Sequence, residues 1–275
     1  MNEAPRFQGT ANYIYAYWPQ YTAVYSTLIA AFFFMGVSAD QGWLGFIPLT
    51  LAAIILIAYF LIAHTWLAHQ QLDEGELEPH LALFKMGELT PEGELVYIHL
   101  GLRKRPLSLV QQISTGHLTV IDVYSPNTTP SRALIRWRNR TPQPPPDRRL
   151  TWQTGSVTIL PFPNGSVQTV VICQMLDEIA QRGDQLALLK EVKRVLKTDG
   201  RLLIAETIRN QNLWIAQGPL ALTTPTANYW RKLLDETSFF VLEEKTLGGV
   251  IRCFTTGNFP PRQSQQLAFD LGENT

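Results

Sequence analysis

The residues of this chain best able to do chemistry form a cationic run, Arg103-Lys104-Arg105, placed after an apolar stretch that reads as a strand and before one that reads as a helix. Backbone N–H groups and the positive end of the dipole already favour anions at a helix start, so the run reads either as an anion site or as a solvated basic loop. More positive charge follows. Between Gly101 and Leu150, Arg132, Arg136, Arg138, Arg140, Arg148 and Arg149 join these three against only Asp122 and Asp147. Formal net charge is zero, which gives no global reason to expect nucleic acid. RALIRWRNR, taken alone, has the arginines and the tryptophan of a nucleic-acid surface. It also has the pattern of a helix with one polar face. Cys173 and Cys253 lie far apart, without disulfide or metal-ligand spacing, so the two read as reduced thiols. Glu206, His117 and Cys173 are conceivable reacting groups, but structural roles suit them better.

These side chains must be positioned by a sheet. Glu94 to Leu100, His117 to Val123, Ser166 to Cys173 and Arg201 to Glu206 are β-rich apolar runs. PLSLVQQIS suits a short helix between the first two. Leu186, Leu189, Val192, Val195 and Leu196 recur at helical spacing, with Asp184 as the expected N-cap and Gly200 as the expected stop. A helix over 227–236 precedes two runs joined through Leu247-Gly248-Gly249 as a hairpin. Strands alternating with helices predict an α/β, mainly parallel sheet with an antiparallel C-terminal edge. TPQPPPD, 141–147, can only be a surface connection.

Hydrophobic residues make up 45% of the 275 and charged residues 17%, below the roughly 25% charged that soluble domains carry. The deficit is local. Residues 21–39 and 43–67 contain no charge, and a helix apolar on every face is buried in protein or lipid. Asp40, Gln41 and Gly42 can only reverse direction between them, predicting a transmembrane helical hairpin. Tyr13, Tyr15, Tyr17, Trp18, Trp43 and Trp66 mark its ends, as aromatic belts do. His64 reads as hydrated at interface depth. Arg6 outside and Asp40 in the turn place both termini, and the soluble domain, on the cytosolic side of a two-pass integral protein. The expected organisation is an interfacial segment 1–20, the hairpin 21–69, a solvated acidic connector 70–93, an α/β domain 94–257 and a flexible tail 258–275.

LPFPNGSVQTVVICQMLDEI, followed by ALLKEVKRVLKTDGRLLIAET, resembles the class I (Rossmann-like) S-adenosylmethionine-dependent methyltransferases of the small-molecule type. Leu160 to Gly165 and Arg194 to Gly200 carry the specific part, and YWRKLLDETSFFVLEE and GVIRCF resemble the family's last helix and strands. The resemblance implies a seven-stranded sheet and S-adenosylmethionine as cofactor, with Gly101, Asp122, Gly155 and Ser156 as the binding residues. It departs from the family at the first strand's [DE]-x-G-x-G-x-G loop, where His99 takes the acidic position and Arg103 and Arg105 replace two glycines. Ser156 stands where an aspartate is usual, and Val167-Gln168 where the family has Phe-Asp. The expectation is therefore a membrane-anchored, methyltransferase-like protein with impaired or lost cofactor binding, serving as a binding or assembly factor at a membrane complex. The alternative is an active methyltransferase acting on a membrane-held quinone, pigment or lipid precursor. Either form leaves Arg103, Lys104, Arg105, Arg136 and Arg138 to meet anionic lipid.

Overall fold

The computed structural model describes residues 7–73, 77–141 and 146–260. Arg6, part of the acidic connector (74–76), the prolines within 142–145 and the tail from 261 lie outside the described residues. The chain divides into two units, the first built from Met1–Leu77, Arg132–Arg140 and Asn210–Thr223 and the second from the remainder.

In the first unit, α1 (Gln8–Ala16) precedes α2 (Trp18–Asp40) and α3 (Phe46–Leu72). The last two are long and apolar enough to cross a membrane, and only 6% and 11% of their most apolar stretches are buried within the protein. A core helix of a soluble unit would bury most of its length, so the apolar surface here faces outward. The turn is slightly longer than expected, because the second helix begins at Phe46 rather than Trp43. α1 is held by Asp73, just past the end of α3, whose carboxylate accepts from Gly9 N (2.6 Å), Thr10 N (2.9 Å) and the Thr10 hydroxyl. His69 Nδ1 lies 3.0 Å from the same carboxylate. Burial opposes the charge on Asp73, but these bonds outweigh it and hold the carboxyl below the ordinary aspartate value. Its stabilising effect is therefore present above that ordinary value and lost as pH falls through the lower, folded one. Asp73→Ala is expected to cost about 2 kcal/mol, read as earlier melting and faster amide exchange at Gly9 and Thr10; unchanged exchange there would refute the capping role.

α6 (Arg132–Arg140) packs on α1, with Arg136 Nε donating to Ala16 O at 2.6 Å and the Arg140 guanidinium 3.9 Å from the centre of the Tyr15 ring. Trp137 meets Tyr13 edge-on, and the Tyr13 hydroxyl lies 3.0 Å from His64 Nε2. His64 is thus tied to an aromatic cluster rather than simply hydrated. α8 (Gln211–Gln217) and a 3-10 turn, Gly218–Thr223, complete the unit against α3.

The second unit carries β1 (Glu94–His99), β2 (His117–Asp122), β3 (Leu150–Thr154), β4 (Val167–Cys173), β5 (Leu196–Thr207), β6 (Phe240–Leu247) and β7 (Ile251–Gly257). They form one sheet in the order β3-β2-β1-β4-β5-β7-β6. The first five run parallel and β7 is antiparallel to both neighbours. Central strands are apolar on both faces because both are covered: β1 is buried from Leu95 to His99 and β4 is buried apart from Gln168. At the edge, β6 is mostly exposed and shows Glu243, Glu244 and Lys245, charges that discourage pairing with another sheet. Helices α5 (Lys104–Val110), α7 (Arg182–Val195) and α9 (Ala227–Glu236) connect the strands. α7 starts earlier than expected, capped by extended backbone at Gln181, and Asp184 sits in its first turn; it ends at Val195, well before Gly200. α4 (Pro79–Met86) forms inside the acidic connector and buries Pro79, His80 and Leu83.

Candidate functional site

In an open parallel sheet the ligand crevice opens at the carboxyl ends of the strands where the order reverses. Here that point lies between β1 and β4. Register brings His99, Asp122 and Thr154 side by side at the ends of β1, β2 and β3. Gly101, at φ +86, follows at a backbone conformation that side chains rarely adopt. Its N–H donates to His99 Nδ1 at 3.0 Å, so the first amide of the loop is turned toward an imidazole. Asp122 Oδ1 accepts from Tyr124 N at 3.1 Å, and its carbonyl accepts from Gly155 N at 3.0 Å. Ser156 Oγ accepts from Thr158 N (3.3 Å) and Ile159 N (3.1 Å), closing the turn beside it. The structure thus gathers the ends of the strands leading to Gly101, Asp122, Gly155 and Ser156 along one edge of the sheet.

The two arginines of the loop separate. Arg103 donates to Thr141 O at 3.4 Å, with its guanidinium 5.9 Å from the centre of the Trp152 ring. Arg105 reaches across the switch point, donating to Cys173 O at 3.2 Å and to the Gln174 side-chain oxygen. Arg105 and Arg136, both expected at anionic lipid, donate to the backbone carbonyls of Cys173 and Ala16.

Behind Arg105 lies a group of buried titratable side chains. Glu206 is fully buried at the end of β5, and its Oε1 accepts from Met175 N (3.0 Å) and Leu176 N (2.9 Å). Burial pushes its carboxyl well above the ordinary value, and repulsion from Asp177 adds to this against the two amides and Arg105. Burial also pushes the Cys173 thiol up to about 11, so it is neutral near pH 7 and a poor nucleophile. His117 Nε2 lies 2.9 Å from Thr151 Oγ1, a structural contact. His80, on α4, is 4% exposed and neither ring nitrogen has a hydrogen-bond partner among the described residues. Burial, with Arg105 and Lys104 nearby, lowers it to about 3, which keeps the ring neutral. Sequence reasoning missed it because it closes a run of acidic residues; only its place before an apolar LALF could have hinted at burial.

Among the described residues no cluster of His, Cys, Asp or Glu could hold a metal. A parallel five-strand core with an antiparallel final pair, and a reversal of strand order between β1 and β4, define a Rossmann-like α/β fold of the class I methyltransferase type. Residues 109–204 match the family model described as a methyltransferase domain. Its fold is similar to that of a SAM dependent methyltransferase from Aquifex aeolicus (15% identity, TM-score 0.51), over 67% of this chain and 93% of that one. It is similar, too, to a chain in the Haloferax volcanii complex containing the Trm112 methyltransferase activator (12% identity, TM-score 0.50, 66% and 89% covered). No curated protein matches the chain in sequence.

Proposed function

We propose that this is a membrane-anchored methyltransferase-like protein whose cofactor crevice is closed by its own Arg105, and that it works as a binding or assembly factor at a membrane complex. The observation that carries this is Arg105 bridging to Cys173 O and Gln174 across the switch point. S-adenosylmethionine brings a sulfonium and an ammonium against one carboxylate, so its net charge is positive and a guanidinium fixed there opposes it. His99 also takes the Gly101 amide. The crevice residues therefore do not fit the ligand's amino-acid end, although Asp122 and the Gly155-Ser156 turn remain shaped for its adenosine. The exposure of α2 and α3 and the aromatic residues at their ends support a two-pass hairpin that anchors the domain.

Titration of the full chain in mild detergent with S-adenosylhomocysteine is expected to show no heat of binding at concentrations where a dissociation constant of about 100 μM would be visible. Tight binding that Asp122→Ala abolishes would instead establish the second reading, an active enzyme acting on a membrane-held small molecule, which the preserved Asp122 geometry favours. Co-purification of a stoichiometric membrane protein is the positive expectation, and a consistently solitary chain would refute the assembly role.

A further inference from the structure

No charged residue occurs from Asn210 to Trp230, between Arg209 and Arg231. The first part of that stretch, Asn210–Thr223, belongs to the same unit as α2 and α3. It is too short to span a bilayer as a helix, and it does not run straight. α8 ends at Gly218, where φ is +57, and the 3-10 turn follows. A β-carbon at Gly218 would lie 2.7 Å from the tip of the Phe60 ring, so only glycine lets this backbone close on α3. Phe60 is near the middle of the 27-residue α3, at about 21 Å from its start given 1.5 Å per residue.

On its outer side the stretch presents Trp214, Ile215, Leu220 and Leu222, which are 41–60% exposed. α3 itself exposes Ile55, Leu56, Tyr59 and Ile62, at 45–69%. Backbone polar groups at both ends of the stretch find partners within it. Asn210 Oδ1 caps α8 by accepting from Leu213 N at 3.0 Å, Asn210 O accepts from Trp214 N at 3.0 Å, and the Thr223 hydroxyl donates to Leu220 O at 2.9 Å. Internal satisfaction is what hydrocarbon demands of any backbone that enters it.

We propose that Asn210–Thr223 is a second membrane-embedded element, a short broken helix seated against the middle of α3 with its outer face in lipid hydrocarbon. The proposal rests on the reading of α2 and α3 as membrane-crossing. The bilayer is the occupant chosen because α8 packs on the exposed, apolar α3 and the stretch bears no charge that would order a protein partner. It follows that the chain is fixed to the membrane at two separate points along its length, and the second of these comes three residues after the end of β5.

The test uses the full chain in liposomes containing doxyl-labelled phosphatidylcholine, with a bimane fluorophore on single introduced cysteines; Cys173 and Cys253 are buried. Leu220→Cys and Leu222→Cys are expected to lose fluorescence to the same extent as Leu56→Cys on α3, while Glu243→Cys on the exposed β6 edge loses none. Quenching at Leu56 without quenching at Leu220 or Leu222 would overturn the proposal and leave the hairpin intact. Disulfide-linked dimers through Leu220→Cys, with no quenching, would assign the face to a second copy and likewise overturn it. No quenching at Leu56 would remove the membrane reading itself, and the proposal with it.

Discussion

Changing His99 to Asp and both Arg103 and Arg105 to Gly is expected to turn a chain that does not bind S-adenosylhomocysteine into one that binds it with a dissociation constant of about 10 μM, close to 7 kcal/mol. The reasoning is steric and electrostatic. Arg105→Gly removes the cation lying on Cys173 O and Gln174, and Arg103→Gly clears the start of α5. His99→Asp supplies the acidic strand end that the family resemblance calls for, while Asp122 and the Gly155-Ser156 turn are already in place. The change has a cost. Losing hydrogen bonds from a charged donor costs about 1.5–3 kcal/mol, and a glycine inside α5 about 1 kcal/mol more, so the variant should melt earlier yet cooperatively. Calorimetry on the full chain decides it: a folded triple variant that still gives no heat would show that something other than these three side chains blocks the crevice.

The second large effect is at Glu206. Glu206→Ala strands two amides, Met175 N and Leu176 N, that are now paired inside the sheet's carboxyl end. Each buried, unsatisfied donor costs about 1–3 kcal/mol, so the loss should reach about 2–6 kcal/mol, measured by denaturant unfolding. Glu206→Gln keeps the accepting oxygen and should leave stability near that of the parent. The pair of variants also carries a pH signature. Because the folded carboxyl sits well above its ordinary value, its contribution is fully present below the unfolded glutamate value and lost as pH rises toward the folded one. The parent should therefore lose stability as pH rises above the ordinary glutamate value, and Glu206→Gln should lose less over the same rise. Identical pH profiles would mean that Glu206 is ionised in the fold.

Much of this architecture was legible in the amino-acid order, for physical reasons that differ by element. The two apolar helices announce themselves through length without charge. β4 and β5 stand out as apolar runs, although β5 begins at Leu196 and passes through Gly200 rather than starting at Arg201, and α9 and the β6–β7 hairpin show in their periodicity and in the Gly248-Gly249 turn. β3 was not, because LTWQT is short and lies among arginines and prolines that read as surface. α4 was hidden by acidic neighbours, which report solvation of the flanks rather than burial of His80 and Leu83. α8 and the 3-10 turn are too short and too interrupted by Gly218-Pro219 to give a period. At the site, the positions of Gly101, Asp122 and Gly155 follow from strand ends, which sequence locates well. The destinations of Arg103 and Arg105 do not, because a two-residue step along the start of α5 sends one guanidinium to Thr141 and Trp152 and the other to Cys173. Sequence treated them as equivalent obstructions.

The first unit is discontinuous, drawing on Met1–Leu77, Arg132–Arg140 and Asn210–Thr223, and this sets an order of events during synthesis. Translation delivers the helical pair early, the arginine-rich helix that packs on α1 only later, and the piece that closes on Phe60 later still, when most of the sheet's strands have been made. Until then the middle of α3 lacks its neighbour. Contacts separated by this much chain form slowly, so a ribosome-bound nascent chain cut short before Asn210 would display an α3 surface that the finished protein covers, a natural place for an insertase or chaperone to hold on.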